Sequence, residues 1–204
     1  MIRDPETFEA LLDSVRRFVR ERLVPAENEV AETDEIPEAI VQEMREMGLF
    51  GLTIPEAYGG LELTMEEESR LLFELCKTSP AFRSVIGTTV GIGSQGILMD
   101  GTEEQKAYYL PKLATGELSA SFALTEPEAG SDAASLRTTA ILDGDHYVVN
   151  GTKAFISGAG VSDLYVVMTR TGAPGAKGIS AIVVEKGTPG LSFGANERKM
   201  GWNS

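Results

Sequence analysis

The stretch ALTEPEAGSD, residues 123 to 132, packs a proline, a glycine, a serine and three carboxylates into ten positions. The residues before it have the periodicity of helices, and those after it have the short alternating runs and turn pairs of strands. Its own residues leave two readings open. It is a solvated turn between two halves of a fold, built from turn-forming residue types. Alternatively, Thr125 and the Gly130-Ser131 pair present N–H groups and hydroxyls to one point, a small anion nest. The second reading requires Glu126, Glu128 and Asp132 to point outward.

Toward the N-terminus the punctuation is helical. Asp4 caps a helix with Pro5 at its first position, and Phe8, Leu11, Leu12, Val15, Phe18 and Val19 form one apolar stripe. Pro25 is expected to end it. Pro37 opens a second helix bearing Ile40, Val41, Met44 and Met47, closed by Gly48. TMEE, residues 64–67, is a capping box ahead of Leu71, Leu72, Leu75 and Cys76. Ser79-Pro80 starts a further segment. TEEQ, residues 102–105, is a second capping box, before Tyr108 and Leu110. Between the second and third helices, LFGLTIPEAYGGLE (49–62) is an apolar run ended by Pro55 and a Gly59-Gly60 turn.

Toward the C-terminus the period changes. Residues 137–142, 145–149 and 152–157 are β-favouring runs joined by Asp143-Gly144 and Asn150-Gly151, the pairs that tight hairpins use for positive φ. Further strands are expected at 164–169 and 179–184. The pattern predicts an α+β chain: an all-α domain over residues 1–118, then an antiparallel, barrel-like β-domain over 119–204.

Composition excludes several functions. Residues 1–118 hold 23 acids against 11 bases, and residues 119–204 hold 8 against 7, so neither half offers the basic excess that phosphate backbones require. No nucleic-acid partner is expected. No apolar run is long enough to span a bilayer, and the acidic start MIRDPETFEALL lacks the features of a signal or transit segment, so a cytoplasmic protein with no membrane partner is expected. With one cysteine and one histidine, Cys76 and His146, there is no disulfide framework, no His triad and no expected metal site. Cys76 is read as a buried helix residue. GIGSQG (91–96) matches the G-x-G-x-x-G dinucleotide pattern, with Glu117 some way beyond. Its context fails, because Asp100-Gly101 breaks the following segment too early for a crossover helix. Close packing of helices is the reading kept for these glycines.

Four motifs in order carry a family resemblance. FALTEPEAGSD (122–132) resembles the flavin loop of acyl-CoA dehydrogenases, usually T-E-P-G-A-G-S-D after an aromatic and two residues. NGTKAFISG (150–158) is similar to their second flavin segment, N-G-x-K-x-W-I-T. GLFGLTIPEAYGG (48–60) and GTEEQKAYYLPKLATGE (101–117) resemble the N-terminal helical domain. The resemblance implies an FAD enzyme that converts an acyl-CoA to its trans-2-enoyl-CoA and passes electrons to an electron-transferring flavoprotein. It implies that Leu124 and Thr125 contact the flavin's pyrimidine edge, with Phe122 nearby and Gly130 in the phosphate nest. Ser131 would serve both FAD phosphate and acyl-CoA. Phe155 and Ile156 would wall the cofactor, with the Ser157 hydroxyl near flavin N5. Phe155 stands where Trp is usual, Ser157 where Thr is, and Glu128 where Gly is, the last strained if that position needs positive φ.

The family's catalytic Glu lies in a C-terminal helical bundle with no counterpart before KMGWNS (199–204), so no catalytic residue is assigned and this stretch alone is expected to be inert. The same implied bundle supplies most contacts of a homotetramer. The segments 153–168 and 199–204 look most like the short branched-chain members, those acting on isobutyryl-CoA. A non-catalytic flavin or acyl-CoA binding module and an acyl-CoA oxidase-like relative are the alternatives.

Overall fold

The computed structural model describes residues 4–201. They form two compact units, residues 4–117 with 198–201, and residues 118–197. Trp202 to Ser204, part of the KMGWNS resemblance, lie outside the described residues.

In the first unit the caps do what their spacing demands. Helix α1 (Pro5–Phe18) starts on Asp4, whose carboxylate accepts from the Thr7 N–H and hydroxyl. Its stripe of Phe8, Leu12, Val15 and Phe18 is buried, and each such side chain contributes roughly 1.5–3 kcal/mol. Pro25 does not end the helix. A single wide turn, Val19–Leu23, closes with the Val24 N–H bonding the Val19 carbonyl five residues back. The chain then continues as α2 (Val24–Thr33), with Pro25 in its first turn. The shifted ladder needs no N–H from a proline at that place, which is why the break is avoided.

Helix α3 (Glu38–Glu46) follows Pro37 and ends before Gly48, which takes φ 72°. Helix α4 (Met65–Leu75) carries the expected reciprocal cap, the Thr64 N–H to Glu67 Oε2 at 2.7 Å and the Glu67 N–H to Thr64 Oγ1 at 3.3 Å. Cys76 is exposed rather than buried, because it stands past the last helical turn, as the C-cap, where the apolar stripe has ended. Helices α5 (Pro80–Thr88) and α6 (Ser94–Asp100) are joined by a second wide turn, Thr89–Gly93. GIGSQG therefore follows a helix, not a strand, and the dinucleotide reading is excluded. Gly91 is exposed, with open space where a Cβ would stand, so close packing is not what it serves. Helix α7 (Glu103–Thr115) has the second reciprocal cap, between Thr102 and Gln105.

The second unit departs from expectation. Its strands are β1 (Ala120–Ala123), β2 (Thr139–Asp143), β3 (His146–Asn150), β4 (Leu164–Arg170) and β5 (Ile179–Glu185). The sheet is mixed and open, not an antiparallel barrel. Strand β4 pairs antiparallel with β5 along its whole length. β1 lies parallel to it from Ala120↔Leu164 to Ala123↔Val167, and β2 meets it only at Thr139↔Arg170. The β2–β3 hairpin is present, but its two-residue loop is Gly144-Asp145, one residue later than the pair expected, with Gly144 at φ 65°. Asn150-Gly151 makes no hairpin, and residues 152–157 form a loop instead of a strand. A Cβ on Gly151 would stand 2.2 Å from Thr138 Oγ1, so this glycine serves a close approach.

Candidate functional site

The loop between β1 and β2 and the loop between β3 and β4 meet at the end of β1. The Ala154 N–H bonds the Thr125 carbonyl at 2.8 Å, and Lys153 Nζ bonds the Leu124 carbonyl at 2.9 Å. One residue before Phe122, the Ser121 hydroxyl donates to the Ser157 carbonyl at 2.6 Å and lies 2.7 Å from the Ser162 hydroxyl. Leu124, Thr125, Phe155, Ile156 and Ser157 are thereby brought into one neighbourhood, although about thirty positions separate them in sequence.

Each expected residue has a definite place. Phe122 is a half-buried residue of β1, paired with Val166. Ile156 packs on the small core of Ala123, Tyr165 and Val167. Phe155 stands out at 77% exposure and holds φ 56°, one of three non-glycine residues with positive φ among those described. For a bulky side chain that conformation costs about 1–2 kcal/mol. Gly130 and Ser131 are exposed and come just after a tight turn in which Glu126 and Ala129 exchange two hydrogen bonds of 3.1 Å. Neither is tied to the other loop. Gly130 does not take positive φ, and neither does Glu128, so the expected strain at Glu128 is absent.

Glu126 is the main correction. It does not point outward but is 5% exposed. Its Oε2 accepts from the Arg137 N–H at 2.6 Å, and its Oε1 from the Thr138 N–H at 2.9 Å and from Lys153 Nζ at 2.8 Å. Burial alone would raise its pKa, but the hydrogen bonds from Lys153 and the two backbone N–H groups win and hold it at about 2. Sequence reasoning missed this pair. Its trace was a charge of each sign, one in each flavin-like motif, E in T-E-P and K in N-G-T-K.

The neighbourhood suits a large, partly apolar ligand with polar edges. Among the described residues the hydroxyls of Thr125, Ser131 and Ser157 make no hydrogen bond within the chain. The loop that carries Ser157 also carries the exposed aromatic ring of Phe155. Donors for polar edges and a face for an aromatic ring are what an isoalloxazine and its phosphates need, so these residues fit FAD.

Comparison with known proteins shows the family. Residues 5–117 match the family described as "Acyl-CoA dehydrogenase, N-terminal domain", and residues 121–204 match "Acyl-CoA dehydrogenase, middle domain". The chain is 42% identical to an acyl-CoA dehydrogenase of Bacillus subtilis (strain 168), over 92% of this chain and 50% of that protein. It is 44% identical to the mitochondrial isobutyryl-CoA dehydrogenase of Dictyostelium discoideum, over 92% of this chain and 45% of that one. A solved structure from work on the electron transferring flavoprotein of Acidaminococcus fermentans has TM-score 0.91 at 36% identity, covering 100% of this chain and 54% of that one. The acyl-CoA dehydrogenase of Geobacillus kaustophilus gives 0.88 at 37%, covering 100% and 55%. An acyl-CoA dehydrogenase of Bacillus anthracis complexed with FAD gives 0.85 at 34%, covering 99% and 35%. The chain belongs to the acyl-CoA dehydrogenase family, whose members are oxidoreductases. It spans about half the length of the curated relatives it matches.

Proposed function

We propose that the protein carrying this chain is an FAD-dependent acyl-CoA dehydrogenase, forming a trans-2-enoyl-CoA and handing its electrons to an electron-transferring flavoprotein. The observation that supports it best is the joining of the two flavin-like motifs by the Ala154–Thr125 and Lys153–Leu124 hydrogen bonds. FAD, when bound, supplies the acceptor for the hydride leaving the β-carbon. The chain's own residues do the holding. Thr125 and Ser157 satisfy polar edges that would otherwise be buried unpaired. Phe122 and Phe155 offer apolar contact, and Ile156 braces the loop from the sheet side. Gly130 and Ser131 are assigned to phosphate, Ser131 also to acyl-CoA. Within the described residues no base is assigned. Glu126, held at about 2, binds its protons too weakly to accept one at neutral pH, where a pKa near the working pH serves best.

A short branched acyl-CoA is the substrate class favoured, on the likeness to the isobutyryl-CoA dehydrogenase. Anaerobic addition of isobutyryl-CoA to the FAD-loaded protein should bleach the flavin faster than palmitoyl-CoA does. Bleaching by neither would remove the assigned activity. Thr125→Val keeps the volume and removes the hydroxyl, so FAD affinity should fall by about 1–3 kcal/mol, read by flavin titration of the apoprotein. An unchanged dissociation constant takes Thr125 out of the site. Ser131→Ala should weaken acyl-CoA binding by about 0.5–1.5 kcal/mol. Loss of FAD affinity alone would end the assignment of Ser131 to two ligands.

A further inference from the structure

We propose that Lys153 and Glu126 are positioning residues, a buried clamp that holds the Leu124–Thr125 stretch and the Phe155–Ser157 stretch as one ligand-facing surface. The inference rests on the flavin reading for what that surface serves, but the clamp itself is read from contacts.

The pair is deeply placed, with side-chain exposures of 11% for Lys153 and 4% for Glu126. It joins three separate pieces of chain. Lys153 spends one donor on Glu126 and another on the Leu124 carbonyl, and Glu126 spends its oxygens on the N–H groups of Arg137 and Thr138. Stability alone is a poor reason for such a pair. Taking two charges out of water is costly, and apolar residues of similar volume often stabilise as well or better. Apolar residues would not, however, fix the Leu124 carbonyl and two backbone N–H groups at hydrogen-bond distance. What the ion pair adds is geometry.

That geometry bears on the strained residue. Phe155 lies two positions beyond Lys153 and keeps φ 56° while its ring is 77% exposed. No burial of the ring compensates the backbone cost, so the flanking residues must impose it. They do so on both sides. Ala154 is bound to Thr125 beside the clamp, and the Ser157 carbonyl is held by Ser121. Releasing the Lys153 side leaves Phe155 free to relax to negative φ, which carries its ring away from the place where it now stands. Thr125, one residue before Glu126, would move with it.

The test uses Lys153→Met and Lys153→Arg in the protein that carries this chain. Without flavin, amide exchange is followed at Ala154, Arg137 and Thr138, with Val166 and Val184 of the sheet as internal controls. With FAD at saturation, the visible absorption and circular dichroism of the flavin are recorded, and the dissociation constant is titrated. In Lys153→Met, exchange at Ala154 should rise while the controls hold. FAD affinity should fall by about tenfold or more, equivalent to ~1.4 kcal/mol, and the saturated flavin spectrum should change. Lys153→Arg, which keeps charge and donors, should restore both in large part. Unchanged Ala154 protection with a wild-type spectrum would overturn the clamp. So would a uniform rise in exchange that includes Val166 and Val184, since that is general destabilisation. If even the wild type takes up no FAD, the flavin reading falls, and the selective Ala154 response still decides whether the pair is a clamp.

Discussion

Glu126→Ala should destabilise the sheet unit by about 3–5 kcal/mol, the cost of leaving a buried charge without its partner. The substitution strands Lys153 Nζ and the N–H groups of Arg137 and Thr138 together. Acid should reproduce part of the effect in the unaltered protein. The Glu126 pKa falls from an ordinary 4.5 to about 2 on folding. A depressed folded-state pKa means the folded form binds the proton later than the unfolded form does. Its contribution is therefore complete above about pH 5 and is lost as pH falls toward about 2, and it amounts to something on the order of 3 kcal/mol. Denaturant unfolding of the sheet unit at a series of pH values should show this slope in wild type. Glu126→Gln, which cannot titrate, should lack that portion. A variant whose stability falls with acid in parallel with wild type would show that some other carboxylate carries the transition.

How much the sequence disclosed was set by the range of the interactions. The capping boxes at Thr64 and Thr102 involve residues three positions apart and were legible without the fold. So was the stripe of α1, whose members repeat along one helix face. The mixed sheet was not legible, because β1 is four residues, Ala-Ser-Phe-Ala, with little strand signal of its own. It becomes a strand only by lying against Leu164 to Val167, more than forty positions later. The run 152–157 failed for the opposite reason. Its residues favour strands, but the Ala154–Thr125 bond and the Lys153 clamp draw its polar groups to another loop. Pro25 and Cys76 were misread through neighbours, the first rescued by a wide turn and the second placed just beyond the face it seemed to share. In the candidate site, Thr125, Phe155 and Ser157 were singled out by resemblance of motif. The Glu126–Lys153 pair escaped because each partner, taken alone, reads as a solvated charge, and only the fold makes them neighbours.

Adjacent glycines in the helical unit should respond very differently to the same methyl group. Gly59 and Gly60 read in sequence as one turn, yet the structure gives them separate reasons. Gly59 takes φ 83° with open space around its missing Cβ. Alanine there meets no atom and costs only the left-handed backbone, about 1–2 kcal/mol. At Gly60 a Cβ would lie 2.0 Å from the Ile54 carbonyl oxygen and 2.6 Å from its carbon. The chain is pressed to that carbonyl by its own hydrogen bonds. Leu61, Glu62 and Leu63 donate to Gly51, Ile54 and Leu52 at 2.8, 2.9 and 2.7 Å. The obstructing atoms are backbone, so no rotamer change relieves the clash, and Leu52 and Ile54 are fully buried on the other side. Room for the methyl comes only by parting this doubled-back segment from the core beneath it. Gly60→Ala should therefore cost about 3 kcal/mol or more, at the upper end of what overpacking exacts. Denaturant unfolding monitored by the helical signal at 222 nm compares the two variants directly. Equal losses at Gly59 and Gly60 would mean that backbone conformation alone governs the turn, and that the segment is free to lift from Ile54.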